Sequence, residues 1–403
     1  MSREALIGTA TVRGSGSRSL LRRLNSYGVL SQIRQEPHTV SQLASATGLS
    51  RTATESVVVD LVNLGWANPT SEQDPNNLPL GRPAGRYRFN QRAGHVATID
   101  IGAHHIYAVV ADLAGETVSS ARREVEESFP ASERLLAART TLDRALANAG
   151  LSTHNVWVLT IGSPGAVDSG VVAFFGGSGM PGWVGLDISR AFSDYVDCPV
   201  LVEGDCGLGA MAEQWIGASQ DVVSVVYILC GIRTGAAVLL NGRLHRGAHG
   251  GAGLVGELAE LRWRELELEM YGNGAFDGRR PTREQIFKEA RAGNQAAREA
   301  TRDFAKVLAL GAAAMVLAID PDLVVIGGGS SRDSDVYLHD FTTDLAAHCP
   351  LAPEVRISNL GFEAVGTGGI KMAIEYIDEL LRKAIEDNDS FPQADLALTR
   401  NLR

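Results

Sequence analysis

The N-terminal part of the chain carries apolar residues at helical spacing. Between Ser19 and Ile33 they return every three or four positions, and this pattern predicts a helix that ends before Pro37. Thr39 and Ser50 are residue types that favour helix N-caps, and each precedes a further segment with the same spacing. The pattern therefore predicts three consecutive helices.

The second and third predicted helices have the spacing of a helix-turn-helix. Gly48 ends the second helix and allows the turn, and Gly65 ends the third. Residues 67–80 are rich in Asn, Pro, Asp and Ser, which indicates a loop, and Tyr87 and Phe89 then alternate with polar residues as in a short strand. Three helices followed by a loop and a strand predict a winged helix-turn-helix.

Beyond about residue 94 the pattern changes to apolar, β-branched runs separated by amphipathic segments. The runs 96–101 and 107–113 are close enough to form a hairpin. Helical spacing returns in four later segments, 132–149, 206–217, 282–319 and 366–387. This order predicts an α/β body of two lobes. The predicted organisation is a flexible leader (1–18), a winged helix-turn-helix (19–92), the body (93–387) and a flexible tail (388–403).

Charge is distributed unevenly between these parts. The whole chain has a net charge of −10, but residues 1–95 contain 11 Arg, no Lys and 6 acidic residues, a net charge of +5. The remaining residues therefore carry −15. A small basic module on an acidic body favours DNA contact through one end of the molecule, although segment charges of this size also arise by chance.

The cysteines and the N-terminus indicate the compartment. The four cysteines are scattered without a CxxC pair, which is typical of free thiols in a reducing environment. The sequence has no signal-peptide layout and no apolar run long enough to span a membrane. We therefore expect a cytoplasmic protein with no membrane partner.

The helix-turn-helix supplies candidate DNA contacts. Residues at the start of the second helix of such a motif meet base edges and phosphates in the major groove. A Gly-Arg-Pro segment at Gly81–Pro83 favours insertion of an arginine into a narrow minor groove, and the alternative for it is a solvated turn. The predicted DNA-binding residues are Ser41, Gln42, Ser50, Arg51, Thr52, Thr54, Glu55, Arg82 and Arg86.

Several motifs of the body occur in a characteristic order. They are "IDIGAHHIYAVVADLAGE" (99–116), "IGSPGAVDSG" (161–170), "PGWVGLDI" (181–188), "VEGDCGLGAMAEQW" (202–215), "NGRLHRGAHGGAGLVGEL" (241–258) and "IDPDLVVIGGG" (319–329). Together with the N-terminal helix-turn-helix, they resemble the regulator branch of the ROK family (repressors, open reading frames and kinases). The resemblance implies a winged helix-turn-helix on a two-lobed, actin-like sugar-kinase fold, assembled as a homodimer or homotetramer.

The phosphate-binding loops depart from the family pattern. ROK kinases carry Gly-Thr where this chain has Ala103 and His104, and the second loop, close to GTGIG in the family, reads Gly231–Gly235 with Arg233 at its centre. A long side chain there crowds the backbone amides that a phosphate must approach. Arg233 either occupies the phosphate space as a fixed cation or pairs with a local acid, and we favour pairing. We therefore predict no nucleotide cofactor.

The sugar-binding motifs are also altered. The resemblance assigns the position of the catalytic base to Asp205, but the adjoining Asn is replaced by Gly204, and the family's Glu-x-Gly-His reads Leu254–Glu257. Residues 258–281 contain neither Cys nor His, so the family's zinc site is not expected. Asp205 is thus interpreted as a vestigial base in a protein without catalytic residues. The predicted effector-binding residues are Pro181, Gly182, Trp183, Glu203, Asp205 and Glu257.

The sequence favours a transcriptional regulator, most simply a repressor of sugar uptake or metabolism genes. Its expected partners are double-stranded operator DNA, a sugar or sugar-phosphate effector and further copies of the chain. Three alternatives stay open: a regulator with no small-molecule effector, a residual ATP-dependent sugar kinase, and a protein whose N-terminal unit only mediates assembly.

Overall fold

A computed structural model describes residues 16–70, 85–177, 179–264, 266 and 281–400. The chain divides into two compact units. The first comprises Met1–His95, Asp112–Glu116 and Ile374–Arg403, and the second comprises Val96–Ala111 and Thr117–Ala373. The expected boundary at residue 92 therefore lies close to one found at residue 95. The C-terminal residues, which we assigned to the body and a tail, group with the N-terminal unit instead.

The first unit has the elements of a winged helix-turn-helix. Its helices are α1 (Gly16–Ile33), α2 (Val40–Thr47) and α3 (Arg51–Asn63), and its strands are β1 (His38–Thr39), β2 (Ala67–Thr70) and β3 (Arg86–Phe89). The strands form a sheet in the order β1-β3-β2. Leu30, Leu43 and Leu61 are fully buried where the three helices meet, so the apolar spacing of the sequence forms this core.

Two five-stranded sheets form the second unit. The first sheet contains β4 (His95–Ile101), β5 (His105–Asp112), β6 (Thr117–Glu124), β7 (Val156–Ser163) and β10 (Val200–Gly204). The second contains β11 (Val225–Cys230), β12 (Thr234–Leu240), β13 (Arg243–His245), β14 (Leu323–Gly327) and β15 (Glu354–Ile357). A separate hairpin joins β8 (Ala166–Asp168) to β9 (Val171–Phe174).

The two sheets have the same topology. If the five strands of each sheet are numbered in chain order, they lie side by side in the order 3-2-1-4-5. The first sheet is thus β6-β5-β4-β7-β10, and the second is β13-β12-β11-β14-β15. In both, the second and third strands pair antiparallel and the fourth and fifth pair parallel. This duplicated arrangement is the actin-like sugar-kinase fold, although the sequence shows no convincing internal repeat.

Helices complete the fold. They are α4 (Ala131–Asn148), α5 (Ile188–Ser193), α6 (Asp205–Ile216), α7 (Arg283–Arg291), α8 (Gln295–Ile319), α9 (Leu338–His348), α10 (Ala364–Asp387) and α11 (Ala397–Arg400). The single helix predicted over 282–319 is two helices, because Gly293 has a φ of 97° and Asn294 caps the second one. None of the helices in the described ranges is both long enough and apolar enough to span a lipid bilayer.

The C-terminal residues differ from the expected flexible tail. Phe391 and Leu398 are only 7% and 8% exposed, and the last residues described form α11. Phe391 follows four polar residues, and Leu398 lies in a short run with Leu396 and Ala397, so neither belongs to an apolar pattern long enough to predict burial. The segment between them is bonded to a distant part of the chain, since the Ala394 amide donates to the Leu64 carbonyl.

Candidate functional site

The turn between α2 and α3 is fixed by local hydrogen bonds. At the start of α2 the Thr39 hydroxyl accepts from the Gln42 amide, and the Gln42 side chain accepts in return from the Thr39 amide. Gly48 ends α2 with a φ of 73°. Ser50 then accepts from the Ala53 amide at 3.2 Å and begins α3. The caps predicted from sequence therefore set the angle between the two helices.

The first turn of α3 presents an exposed polar face. The side chain of Arg51 is 71% exposed, and its Nε donates to Glu55 Oε1 at 3.1 Å. Its Nη1 lies 3.3 Å from the Ser41 hydroxyl of α2. Thr52 is exposed beside it. These contacts are weak, exposed and easily exchanged, so the guanidinium is available to a ligand that meets the end of α3.

Two of the predicted DNA-binding residues differ from this exposed group, and a third is not described. Thr54 is fully buried and its hydroxyl donates to the Ser50 carbonyl at 3.0 Å, so the side chain faces the core. The guanidinium of Arg86 donates to the Pro37 carbonyl and ties β3 to the loop before α2. Arg82 lies outside the described residues.

A cavity of about 150 Å³ lies in the second unit and is lined by both sheets. Glu203 is the next-to-last residue of β10, Asp205 begins α6, and Glu257 belongs to a short 3-10 helix after β13. The cavity thus brings together three of the six predicted effector-binding residues. The Glu257 carboxylate lies against Gly176. A Cβ at this position would overlap the carboxylate, so only glycine leaves room for it.

The Pro181–Trp183 segment is not among the residues that line the cavity. Trp183 is 1% exposed and packs in the core of the first sheet, where its indole donates to Ser163 Oγ at 3.0 Å. The Pro181 carbonyl accepts from the Ala131 amide at the start of α4. The structure gives this segment a packing role where we predicted effector contact.

Arginines pair with the carboxylates around the cavity. Arg246 Nε lies 2.5 Å from Glu203 Oε2, and Arg264 pairs with Glu257. Arg233 pairs with Glu127, which agrees with the pairing favoured from sequence, and its guanidinium stacks over Phe175 at 4.6 Å. Arg246 and Glu127 were not among the predicted site residues. Their partners are 43 and 106 positions away in sequence, and no local pattern signals such a pair.

Asp205 has a perturbed acidity. Burial raises its pKa from 3.8 to about 7, and the negative charge of Asp100 acts in the same direction. The hydrogen bond from the Cys206 amide opposes this shift. Asp100 itself lies 3.2 Å from His105 Nε2. Near neutral pH the Asp205 carboxyl can therefore both donate to and accept from a ligand hydroxyl.

Two further arginines engage the loops that resemble phosphate-binding loops. Arg134 of α4 is fully buried and donates to the carbonyls of Gly102 and Ala103 at 2.6 and 3.0 Å. Arg283 of α7 donates to the Gly231 carbonyl and to Ser330 Oγ. Sequence reasoning missed both residues, since each stands in an ordinary helical pattern. In the described part of the chain, no group of three or more His, Cys, Asp or Glu side chains is arranged to hold a metal ion.

Comparison with known proteins identifies the family. A sequence model of the ROK family matches residues 96–260 and 266–369. The xylose repressor of Caldicellulosiruptor bescii is 22% identical over 400 residues, covering 89% of this chain and 97% of that protein. The glucokinase of Halalkalibacterium halodurans is 22% identical over 267 residues, covering 57% and 79%.

A solved structure extends the likeness to nearly the whole chain. The crystal structure of a ROK family transcriptional regulator, a homologue of the Escherichia coli MLC protein, superposes with a TM-score of 0.66 at 20% identity. It covers 91% of this chain and 100% of that one, so the similarity of fold includes the N-terminal winged helix-turn-helix. Repressors and kinases both occur among the similar proteins. The family model matches more than half of the residues, and the chain therefore belongs to the ROK family.

Proposed function

We propose that the protein is a transcriptional repressor whose affinity for operator DNA responds to a sugar. One observation carries the proposal: a capped helix-turn-helix with an exposed polar face and a carboxylate-lined cavity in a kinase-like body belong to the same chain. The xylose repressor named above, which is similar over nearly its whole length, supports this combination.

The helix-turn-helix accounts for DNA binding. With α3 in the major groove, its first turn meets the base edges, and Arg51 exchanges Glu55 for a guanine or a phosphate. Thr52 and Ser41 are exposed beside Arg51. From its Gly-Arg-Pro sequence, Arg82 is our candidate for a minor-groove contact. Because bacterial regulators of this type act as symmetric oligomers, we expect a homodimer or homotetramer on a palindromic operator.

The cavity accounts for the response to a sugar. Carboxylates are good acceptors for vicinal hydroxyls, and Glu203, Asp205 and Glu257 face one small space. A sugar that hydrogen-bonds to Glu203 competes with Arg246 for the carboxylate. Sugar binding therefore breaks an ion pair that joins the two sheets. The body then has two arrangements, one with the Glu203–Arg246 ion pair and one without it. A sugar that binds the second arrangement more tightly increases its population, and the operator affinity changes with that population.

A sugar kinase is the second candidate, because Asp205 retains the carboxylate that a kinase needs as a base. Three observations favour the repressor. Arg233 is paired inside the cavity, and Arg134 and Arg283 engage the carbonyls of the two loops where a nucleotide's phosphates would lie. We propose that the protein does not phosphorylate sugars. ATP hydrolysis dependent on any hexose or pentose would overturn this part of the proposal.

Fluorescence anisotropy tests the main proposal. The full-length protein is titrated onto labelled DNA from upstream of its own gene, with and without a panel of sugars and sugar phosphates. Arg51→Ala should weaken specific binding about 5- to 150-fold, as expected for loss of one base-reading arginine. Arg92→Ala is the matched control, since it removes an exposed arginine of the same unit outside the helix-turn-helix. Binding that is specific but indifferent to every sugar would instead support a regulator without a small-molecule effector.

A further inference from the structure

The C-terminal segment, defined here as residues 388–400, is bonded to the DNA-binding unit. The Ala394 amide donates to the Leu64 carbonyl at 2.8 Å. The indole Nε1 of Trp66 donates to the Pro392 carbonyl, also at 2.8 Å, and Trp66 is fully buried. A buried indole needs a hydrogen-bond acceptor, and the segment supplies one to this tryptophan of the winged helix-turn-helix.

These bonds fall on a short connection inside the DNA-binding unit. Leu64–Trp66 joins the recognition helix α3 to β2, the first strand of the wing. The same connection is also bonded to the wing. Asn90, which follows β3, donates from its side chain to the Gly65 carbonyl at 2.8 Å. The Trp66 ring also stacks on Phe89 of β3, with centroids 6.5 Å apart. The connection therefore lies between the wing and the C-terminal segment.

Contacts with α1 hold the C-terminal residues in place. Arg23 is 7% exposed and donates to the Ile385 carbonyl near the end of α10 at 2.7 Å. The Ser19 hydroxyl donates to the Asp389 carbonyl at 2.7 Å. Phe391, which lies between Asp389 and Pro392 in sequence, is buried. These bonds to α1 fix the start of the C-terminal segment, which then continues to the Leu64–Trp66 connection.

We propose that the C-terminal segment is a positioning element for DNA binding, which sets the orientation of the wing relative to the recognition helix. The argument rests on the proposed function of the winged helix-turn-helix. A recognition helix and a wing must meet adjacent parts of the DNA at the same time, so a fixed angle between them lowers the entropic cost of binding. Without the segment, β2 and β3 keep their pairing and the bonds of Asn90 and Arg86, but the Leu64–Trp66 connection between α3 and β2 loses the two bonds from the Ala394 amide and to the Pro392 carbonyl.

Removal of the segment from an otherwise unchanged chain tests the proposal. A chain that ends after Asp387 should bind operator DNA at least about tenfold more weakly, which corresponds to about 1.4 kcal/mol. The unfolding transition of the body should be unchanged. Operator affinity within twofold of that of the intact chain would overturn the proposal.

A point substitution separates positioning from general loss of folding. Trp66→Phe keeps an aromatic ring but removes the donor to the Pro392 carbonyl, and it should weaken operator binding a few-fold. Trp157→Phe is the control, because it makes the same change at a buried tryptophan of the body. Equal effects of the two substitutions on operator affinity would contradict the proposal.

Hydrogen exchange provides a readout that needs no operator. In the truncated chain and in Trp66→Phe, we expect faster exchange at the amides of β2 and β3 and unchanged exchange in α2. Faster exchange in all three helices would contradict the proposal, because the segment would then stabilise the whole unit. If exchange changes as expected but no DNA binds even the intact chain, the proposed function fails and the structural role of the segment stands.

Discussion

Asp205→Asn should remove a pH-dependent cost to the stability of the body. The carboxyl at this position has a pKa of about 7 against an ordinary value of 3.8, chiefly because it is buried. The unfolded chain therefore releases this proton near pH 4, whereas the folded chain holds it until near pH 7. Between these values the folded state binds more protons, so raising the pH destabilises it, and above pH 7 the full cost remains.

The size of this cost follows from the pKa. Ionising a group whose pKa has moved from 3.8 to about 7 is disfavoured by about 4 kcal/mol. The carboxyl is buried in the fold, but Asp205 lines the cavity, where water screens part of this cost, and we expect about 2 kcal/mol between pH 4 and pH 8. Asparagine keeps the shape of the side chain and does not ionise. The free energy of unfolding of the variant, relative to the wild type, should rise by this amount over the range.

Urea unfolding at pH 5, 6, 7 and 8 measures the difference. Taking the variant relative to the wild type at each pH cancels the other titrating groups, because both proteins carry them. Asp168→Asn removes an exposed carboxylate of the same unit and controls for the loss of one charge. A difference in unfolding free energy that is flat with pH, or that falls as the pH rises, would refute the reasoning.

Three further substitutions test other parts of the structure. Arg134→Leu leaves the Gly102 carbonyl and its neighbours without their donor and should destabilise the body by about 2–4 kcal/mol, measured by urea unfolding. Glu203→Gln should weaken sugar binding about tenfold in isothermal titration, since a carboxylate acceptor is lost from the cavity; equal affinity would exclude direct contact. Thr54→Val should cost about 1 kcal/mol of stability without altering base preference, and a changed preference in a binding-site selection would contradict its buried position.

The local features of the fold could be predicted from the sequence. The caps at Thr39 and Ser50, the turn at Gly48 and the apolar spacing act over a few residues, and the structure confirms them. Thr54 shows where this reasoning was incomplete. It lies at helical spacing from Val57 and Val58, and that spacing already places it on the buried face.

Contacts between distant residues could not be predicted in the same way. Arg246 and Glu203 pair only because two sheets meet, and the sequence places them in separate motifs. Trp66 and Pro392 are separated by 326 positions, and the segment around Pro392 is polar enough to suggest a flexible tail. The family motifs identified the kinase-like fold, but they did not show which charges the cavity pairs.

Fluorescence anisotropy of the full-length protein on DNA from upstream of its own gene, repeated with each member of the sugar panel, tests the central claim most directly. We expect specific binding that is released by one sugar or sugar phosphate, with about tenfold more sugar needed for release in Glu203→Gln and the binding itself weakened in Arg51→Ala. Absence of specific binding to any upstream DNA, together with sugar-dependent turnover of ATP, would contradict the account and identify the protein as a kinase.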